Sequence, residues 1–161
     1  MTTTYLVTGA AGFIGSHSVE WLLGRGQRVV GVDNLRTGHL ENLAGARSSP
    51  NFEWALADAG DEAAMRALFE RHRFAAVLHL AALVSVPESF RDPALNYRLN
   101  LAAADGIARL CLEFDCKRLV FASSAAVYGA AAALPNRESA APQPQSPYAA
   151  AKLAAEVMLL G

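Results

Sequence analysis

The fold is decided by the stretch Tyr5-Leu6-Val7-Thr8-Gly9-Ala10-Ala11-Gly12-Phe13-Ile14-Gly15, which a helical pattern follows from Ser16 to Leu23. An apolar strand, a glycine-rich turn and a helix in this order are typical of a dinucleotide site, because glycines let backbone N–H groups approach a pyrophosphate. The helix N-terminus adds unpaired N–H donors and a partial positive charge. We therefore expect the cofactor to contact Gly9, Gly12, Phe13, Ile14 and Gly15.

A second feature distinguishes this turn from an ordinary tight turn. The next strand, Arg28 to Val32, is followed by Asp33, near the spacing of about 20 residues expected for a carboxylate that binds the adenosine ribose. Such a carboxylate repels a 2′-phosphate and favours NAD over NADP. Two alternatives stay open: Asp33 caps the loop that begins at Asn34, or Arg36 in that loop allows NADP to bind.

Composition limits the class of protein. The chain has 161 residues, of which 53% are hydrophobic and 18% charged, so we expect one domain with its own core. Its formal charge is −1, which does not indicate a nucleic-acid or membrane partner. No apolar run approaches the roughly 20 residues that span a bilayer, and Met1 to Thr4 lack the features of a signal peptide. We expect a cytoplasmic protein.

The cysteines and histidines do not indicate a metal site. Cys111 and Cys116 lie five residues apart on a predicted helix and therefore on different faces. We interpret them as reduced packing residues, with a disulfide or a metal pair as the alternatives. His79 is expected to be a core residue, and no metal-ligand spacing is formed by His17, His39 and His72.

Apolar, β-branched runs alternate with helical segments along the chain. The predicted strands are 5–8, 28–32, 52–57, 76–80 and 119–123, and the predicted helices are 12–24, 61–72, 93–114 and 147–160. This order indicates an α/β fold: a doubly wound parallel sheet, the Rossmann fold, with right-handed crossovers. Residues 38–51 are expected to form a loop with at most one helical turn, and residues 130–145 an irregular loop.

A second group of polar residues falls in the last third of the chain. Tyr148 and Lys152 lie at i and i+4 of the helix that begins after Pro147, and Ser123 and Ser124 lie at the end of a predicted strand. A phenol has an ordinary pKa of about 10, and a neighbouring ammonium favours its ionised form. Tyrosine, lysine and serine together predict proton transfer beside a hydride acceptor. The alternative is an exposed tyrosine beside a solvated lysine.

These segments resemble a known family. Ser123-Ser124-Ala125-Ala126-Val127-Tyr128-Gly129 and Ser146-Pro147-Tyr148-Ala149-Ala150-Ala151-Lys152 are similar to the two active-site motifs of the UDP-glucose 4-epimerase group of extended short-chain dehydrogenases/reductases, within the NAD-dependent epimerase/dehydratase family. The resemblance covers essentially the whole chain. It implies that Ser124 is the catalytic serine, with Ser123 as the alternative, that Tyr148 is the base and acid, and that Lys152 lowers the tyrosine pKa and binds the nicotinamide ribose.

The resemblance implies further contacts. Asp58 would bind the adenine amino group, although it could instead cap a helix, and Asn100 would bond backbone near the active site in a structural role. The full set of cofactor positions beyond the glycine turn is Asp33, Asn34, Asp58, Ala59, Leu80, Ala81, Ala82, Asn100, Ser123, Tyr148 and Lys152. The substrate positions are Ser85, Ser124 and Tyr128. Ser85 lies in the segment Val84 to Ser89, for which a surface loop is the simpler interpretation, and Tyr128 could equally serve in packing.

The implied reaction is nucleotide-sugar epimerisation, in which a sugar hydroxyl is transiently oxidised by NAD. Ala125 and Ala126 lack an ionisable group, which disfavours dehydration. The sequence stops at Gly161, nine residues after Lys152, whereas family members continue for roughly as many residues again and add a smaller substrate domain. We expect a chain truncated to the N-terminal half. The alternatives are a half-enzyme completed by a second chain, a homodimer among them, a non-catalytic NAD-binding module, and a nucleotide-sugar dehydrogenase or reductase.

Overall fold

The computed structural model describes residues 3–130 and 135–161. The described chain divides into two compact units. The first unit contains the residues up to Ala81 together with Gly106–Ala122, and the second contains Ala82–Asp105 and the chain from Ser123 onward. The expectation of one domain stays a prediction.

A parallel sheet forms the centre of the first unit. Its strands are β1 (Thr4–Thr8), β2 (Arg28–Asp33), β3 (Phe52–Leu56), β4 (Phe74–His79) and β5 (Leu119–Phe121). They lie in the order β3-β2-β1-β4-β5, and every neighbouring pair is parallel. The predicted strands are confirmed, with ends that differ from the prediction by at most two residues.

Helices cover both faces of this sheet. Leu6, Val30 and Val77 belong to one buried cluster with residues of the helices α2 (Glu62–Arg71) and α5 (Ala103–Glu113). Val7 and Val29 belong to a second cluster with α1 (Phe13–Leu23). Because successive strand residues point to opposite faces, the two clusters lie on the two sides of the sheet. The predicted doubly wound α/β fold is confirmed.

The segment between β2 and β3 contains more structure than predicted. It forms two short 3₁₀ turns, Leu40–Leu43 and Ala46–Ser48, where at most one helical turn was expected. Leu43 is fully buried and Ala46 is 2% exposed, both in the cluster around α1. Burial of these two side chains stabilises the two turns, which the local sequence pattern does not predict.

The cysteines lie side by side, and the prediction of different helix faces was wrong. Helix α5 ends at Glu113, and Asp115 adopts a left-handed conformation with φ of 61°. The N–H of Cys116 then donates to the oxygen of Cys111 at 2.8 Å, as in a Schellman turn. Both thiols are free and buried, as expected of packing residues. Burial, together with the neighbouring Cys116, raises the pKa of Cys111 to about 12.

The second unit is helical. It contains α3 (Val86–Arg91), α4 (Pro93–Tyr97), a π-helical turn (Arg98–Ala102), the first residues of α5, a 3₁₀ turn (Ala125–Tyr128) and α6 (Pro147–Leu160). The single helix predicted over 93–114 is therefore α4, the π turn and α5 in succession. The prediction of a surface loop from Val84 to Ser89 was also wrong, because most of this segment lies in α3.

The boundaries of these helices have local causes. Ser85 caps α3 by accepting a hydrogen bond from the N–H of Glu88, and Asp92 caps α4 by accepting one from Leu95. Pro93 cannot continue α3 and starts α4 instead. Of the predicted loop 130–145, residues 131–134 lie outside the described residues, and residues 135–145 form no helix or strand. In the described parts of the chain, no helix has the length and apolar character needed to cross a membrane.

Candidate active site

The glycine turn of the first unit leaves the N-terminus of α1 open. Gly12 is the N-cap residue and no side chain bonds there, so the first N–H groups of α1 have no partner within the helix. Phe13 and Ile14, the first two helical residues, are 78% and 64% exposed. The turn itself is closed by the bond from the N–H of Gly12 to the oxygen of Gly9, at 3.1 Å. Together these features form a concentrated set of donors suited to an anion.

Close packing explains the glycines of this turn. Gly9 has φ of 70°, and a Cβ there would lie 2.7 Å from the backbone nitrogen of Ala81. A Cβ on Gly15 would lie 2.0 Å from the oxygen of Gly9. A Cβ on Gly12 would meet only that same oxygen, at 3.2 Å. Gly9 and Gly15 are thus required by the fold, whereas Gly12 mainly keeps the approach to the α1 N-terminus bare.

Asp33 joins the end of β2 to this turn. Its Oδ2 accepts the N–H of Ala11 at 3.0 Å, and its Oδ1 accepts the N–H of Leu35 at 2.8 Å. The capping role that the sequence left open is therefore real, and it extends to the glycine turn. A carboxylate offers about four lone-pair positions, so these two bonds leave capacity for ribose hydroxyls.

Asn34 and Asp58 are brought together beside Asp33. The Asn34 amide donates to Asp58 Oδ2 at 3.3 Å, and Asp58 Oδ1 accepts the N–H of Gly60. The cap of α2 is Asp61, whose Oδ1 accepts the N–H of Ala64. Asp58 is therefore not the α2 cap, and the adenine-binding role remains a prediction. Its neighbour Ala59 is 8% exposed.

The end of β4 lies against the glycine turn. Thr8 Oγ1 is 2.8 Å from Nδ1 of His79 and accepts the N–H of Ala81 at 3.2 Å. The N–H of Leu80 donates to the oxygen of Thr8. His79 is 1% exposed, which confirms it as a core residue. These bonds hold Leu80 and Ala81 next to Gly9.

Within the second unit, Ser124 caps the 3₁₀ turn. Its Oγ accepts the N–H of Ala126 at 3.2 Å, which leaves its own O–H as a donor. The turn ends at Gly129 with φ of 63°, where a Cβ would lie 2.1 Å from the oxygen of Gln143. Tyr128 is half-buried. The hydroxyl oxygen of Ser123 is buried and makes no hydrogen bond within the described residues.

Helix α6 carries the buried pair Tyr148 and Lys152. Ser146 caps the helix by accepting the N–H of Ala149, and Pro147 occupies its first position. Tyr148 is 8% and Lys152 3% exposed, which excludes the alternative of a solvated pair. Positions i and i+4 share one helix face. Burial lowers the pKa of Lys152 from 10.5 to about 8.

Asn100 lies in the π turn and is 1% exposed. Its Oδ1 accepts the N–H of Leu83 at 3.0 Å, and its Nδ2 donates to the oxygen of Leu83 at 3.0 Å and to Asn96 Oδ1 at 2.8 Å. Both amide hydrogens are thus used, which fits the structural role better than cofactor donation. Ser85, whose Oγ accepts the N–H of Glu88, keeps its hydroxyl hydrogen and a second lone pair for other partners.

Asn96 was not predicted to matter. It is fully buried in α4, and its Nδ2 donates to the oxygen of Pro147 at 2.8 Å. The available signal was asparagine, a weak helix former, recurring at i and i+4 in a predicted helix. Among the residues described, no group of three or more His, Cys, Asp or Glu side chains could hold a metal ion.

Comparison with known proteins identifies the family to which the chain belongs. The family model described as GDP-mannose 4,6 dehydratase matches residues 6–160. The chain belongs to the GDP-mannose 4,6 dehydratase family. Among curated members, the UDP-glucose 4-epimerase of Halalkalibacterium halodurans is 40% identical over 153 residues, which are 95% of this chain and 44% of that protein.

Solved structures of the family agree with this fold. The UDP-Glc/GlcNAc 4-epimerase from Campylobacter jejuni superposes with a TM-score of 0.93 at 30% identity, covering 98% of this chain and 48% of that one. The UDP-glucose 4-epimerase of Thermus thermophilus, solved in complex with NAD, gives 0.89 at 39% identity, with coverage of 98% and 50%. The predicted resemblance and the Rossmann fold are confirmed. The chain spans about half the length of these family members.

Proposed function

We propose that this chain is the cofactor-binding and catalytic part of a nucleotide-sugar epimerase of the UDP-glucose 4-epimerase type. The observation that carries the proposal is the buried pair Tyr148 and Lys152 on α6, in which burial lowers the lysine pKa to about 8. Perturbed ionisable groups concentrate where chemistry takes place. Several similar proteins are UDP-glucose 4-epimerases, and three of the similar solved structures are such enzymes in complex with NAD.

The residues of the first unit fit NAD. The open N-terminus of α1 and the bare surface at Gly12 suit the pyrophosphate, because any Cβ there would stand in its approach. Asp33, with lone pairs to spare, would hold the ribose of the adenosine, and Asn34 and Asp58 would hold the adenine. When bound, NAD would accept a hydride from the sugar carbon and later return it to the other face.

The side chains of the second unit supply the proton chemistry. Tyr148 takes the proton of the sugar hydroxyl as the C–H hydride leaves, and it gives that proton back when hydride returns. Lys152, mostly protonated at pH 7, stabilises the tyrosinate by its charge. The Ser124 Oγ accepts the Ala126 N–H with one lone pair, and its O–H donates to the same sugar oxygen. Proton and hydride both return, so the reaction has no net redox change.

Other reactions and roles differ in what they require. The family description names a dehydratase, but elimination needs an acid or base beside the active serine, and Ala125 and Ala126 have neither. A dehydrogenase or reductase would use the same residues but release its reduced or oxidised cofactor. A non-catalytic NAD-binding module, or a half-enzyme that needs a second chain, would bind NAD without responding to sugar.

The first test is calorimetric titration of the chain with NAD, with NADP for comparison and Gly12→Val as the control. We expect saturable NAD binding that the variant loses. The second test follows absorbance at 340 nm after UDP-glucose or UDP-galactose is added to the NAD-loaded chain, with Tyr148→Phe as the control. We expect slow, substoichiometric reduction of the bound cofactor that Tyr148→Phe abolishes.

Each outcome separates the candidates. NAD binding without any response to UDP-sugars would favour the binding module or the half-enzyme. Accumulation of free NADH over many turnovers would favour a dehydrogenase. Binding that Gly12→Val leaves intact would contradict the assignment of the glycine turn.

A further inference from the structure

We propose that Asn96 is a positioning residue for Tyr148: its side chain links the buried amide of Asn100 to the Pro147 carbonyl and thereby fixes the first turn of α6. The catalytic part of this inference rests on the proposed function. The structural part concerns the second unit alone and stands on hydrogen bonds and burial within it.

The link consists of buried polar groups. Asn96 is fully buried, Asn100 is 1% exposed and Leu83 is 1% exposed. Asn96 Oδ1 accepts from Asn100 Nδ2 at 2.8 Å, and Asn96 Nδ2 donates to the Pro147 oxygen at 2.8 Å. Buried amides that lose a partner leave unsatisfied groups, which is costly. The side chain of Asn96 therefore has one favourable orientation.

The acceptor of this bond is next to the proposed base. The peptide between Pro147 and Tyr148 is planar, so the Pro147 oxygen and the Tyr148 Cα belong to one rigid group. When that oxygen is fixed and Tyr148 keeps helical backbone angles, the direction of the Tyr148 Cα–Cβ bond is also fixed. The carbonyl has two lone pairs, so it accepts the Asn96 amide in addition to its helical partner Ala151.

The cap and the proline at the start of α6 act along its own chain and leave the orientation of the first turn against α4 open. Ser146 caps the helix through the Ala149 N–H, and Pro147 sets φ at the first helical position. Neither constrains how the first turn sits against α4. Asn96 supplies that constraint, and Asn100 anchors it through both backbone groups of Leu83.

A purely structural role would predict a different result. If Asn96 only stabilised the fold, any substitution that lowers stability equally would have the same consequences for α6. Asp61→Ala removes the cap of α2 in the first unit and is the matched control, because loss of a cap is comparable in size to loss of one buried hydrogen bond. Asn96→Ala removes the link. Asn96→Leu removes it while keeping the number and branching of the side-chain heavy atoms and favouring helix, and it carries the test if Asn96→Ala does not fold.

Two measurements test the structural part of the proposal and do not require an active enzyme. In amide hydrogen exchange we expect Ala151 and Lys152 to exchange about tenfold faster in Asn96→Ala or Asn96→Leu, beyond any change in global stability. By NMR titration we expect the pKa of Lys152 to move from about 8 toward 10.5 in these variants, because water reaches the ammonium when the first turn loosens. Asp61→Ala should change neither. Exchange and titration that match those of Asp61→Ala would overturn the proposal.

A third measurement addresses catalysis. In the NAD-loaded chain with UDP-glucose, the rate constant for cofactor reduction should fall about tenfold in the Asn96 variants, with KM within about twofold, because misorientation affects the transition state more than binding. An unchanged rate alongside altered exchange would overturn the role in positioning Tyr148. If the unmodified chain shows no reduction at all, the proposed function fails, and exchange and titration still decide whether Asn96 positions α6.

Discussion

Gly15 and Gly9 touch across the glycine turn, so closely that a Cβ on Gly15 would lie 2.0 Å from the Gly9 oxygen. No side-chain rotation relieves a contact between a Cβ and a backbone atom. Gly12 differs, since its Cβ would be 3.2 Å from that oxygen and its backbone is extended, with φ of −76°. The turn therefore contains glycines of two kinds.

This difference predicts separate effects on folding and binding. Gly15→Ala should lower the free energy of unfolding by about 3 kcal/mol, because the turn and α1 must move apart. Gly12→Ala should cost less than about 1 kcal/mol yet weaken NAD binding at least tenfold, since in the proposed site its methyl group would lie in the path of the pyrophosphate. Urea unfolding and calorimetry measure the two effects. Equal stability of the two variants would contradict the argument.

Burial of Lys152 predicts a stability change that depends on pH. Lowering its pKa from 10.5 to about 8 corresponds to roughly 3 kcal/mol against the charged form. Lys152→Met should therefore stabilise the apo chain at pH 7, by up to this amount. Between pH 8 and 10.5 the unfolded chain binds the proton that the folded chain has released, so the stability of the unmodified chain rises with pH. The advantage of Lys152→Met should shrink over that interval.

Denaturant unfolding of both proteins at pH 7, 8, 9 and 10 measures this difference. Most other titrating groups are common to the two proteins and cancel in the comparison. A difference that stays constant from pH 7 to 10 would show that Lys152 is not desolvated in the folded chain.

Substitution of Asp33 should lower both the stability of the chain and its selectivity for NAD over NADP. Asp33→Asn replaces one acceptor oxygen by a donor, so the bond from Ala11 or the bond from Leu35 is lost, at a cost of about 1–3 kcal/mol. The loss of charge should also reduce the preference for NAD over NADP at least tenfold. Asp61→Asn is the matched control, because asparagine caps a helix as well as aspartate does. Unchanged cofactor selectivity in Asp33→Asn would contradict its assignment.

Replacement of Gly106 by alanine should stabilise the chain. It lies in the interior of α5, and a Cβ there would meet nothing within 4 Å beyond its chain neighbours and the backbone of its own helix. Gly106→Ala should raise the free energy of unfolding by about 1 kcal/mol, because alanine loses less backbone entropy in a helix. Gly129→Ala should do the opposite, since Gly129 has positive φ and no room for a Cβ. Thermal unfolding of both variants would settle the comparison, and a loss of stability in Gly106→Ala would contradict it.

The parallel sheet could be predicted because its signals are local and repeated. Buried β-branched runs and intervening helical segments define the elements, and the turn around Gly12 defines how the first strand meets its helix. Helix α3 could not be predicted, since six residues are too short for a helical period to appear. The same is true of the π turn, where one extra residue per turn leaves no pattern in the sequence.

The candidate site was predictable to a similar extent. Tyr148, Lys152 and Ser124 stand in recognisable motifs, and the structure adds burial of the pair and the lowered pKa of the lysine. Asn96 was missed because its partner Pro147 is 51 residues away in the chain. A hydrogen bond at that separation depends on how α4 packs against α6, which no local pattern records.

From the sequence alone, the parallel α/β architecture, the glycine turn and the candidate residues for proton transfer could be predicted, because each depends on residue types at short, fixed spacings. Three further features appear only in the folded chain: Cys116 lies beside Cys111, Asp33 accepts hydrogen bonds from the glycine turn as well as from its own loop, and Lys152 is buried. These three results depend on distance and burial. Both are set by packing between segments far apart in the chain, and so they appear only when the chain has folded.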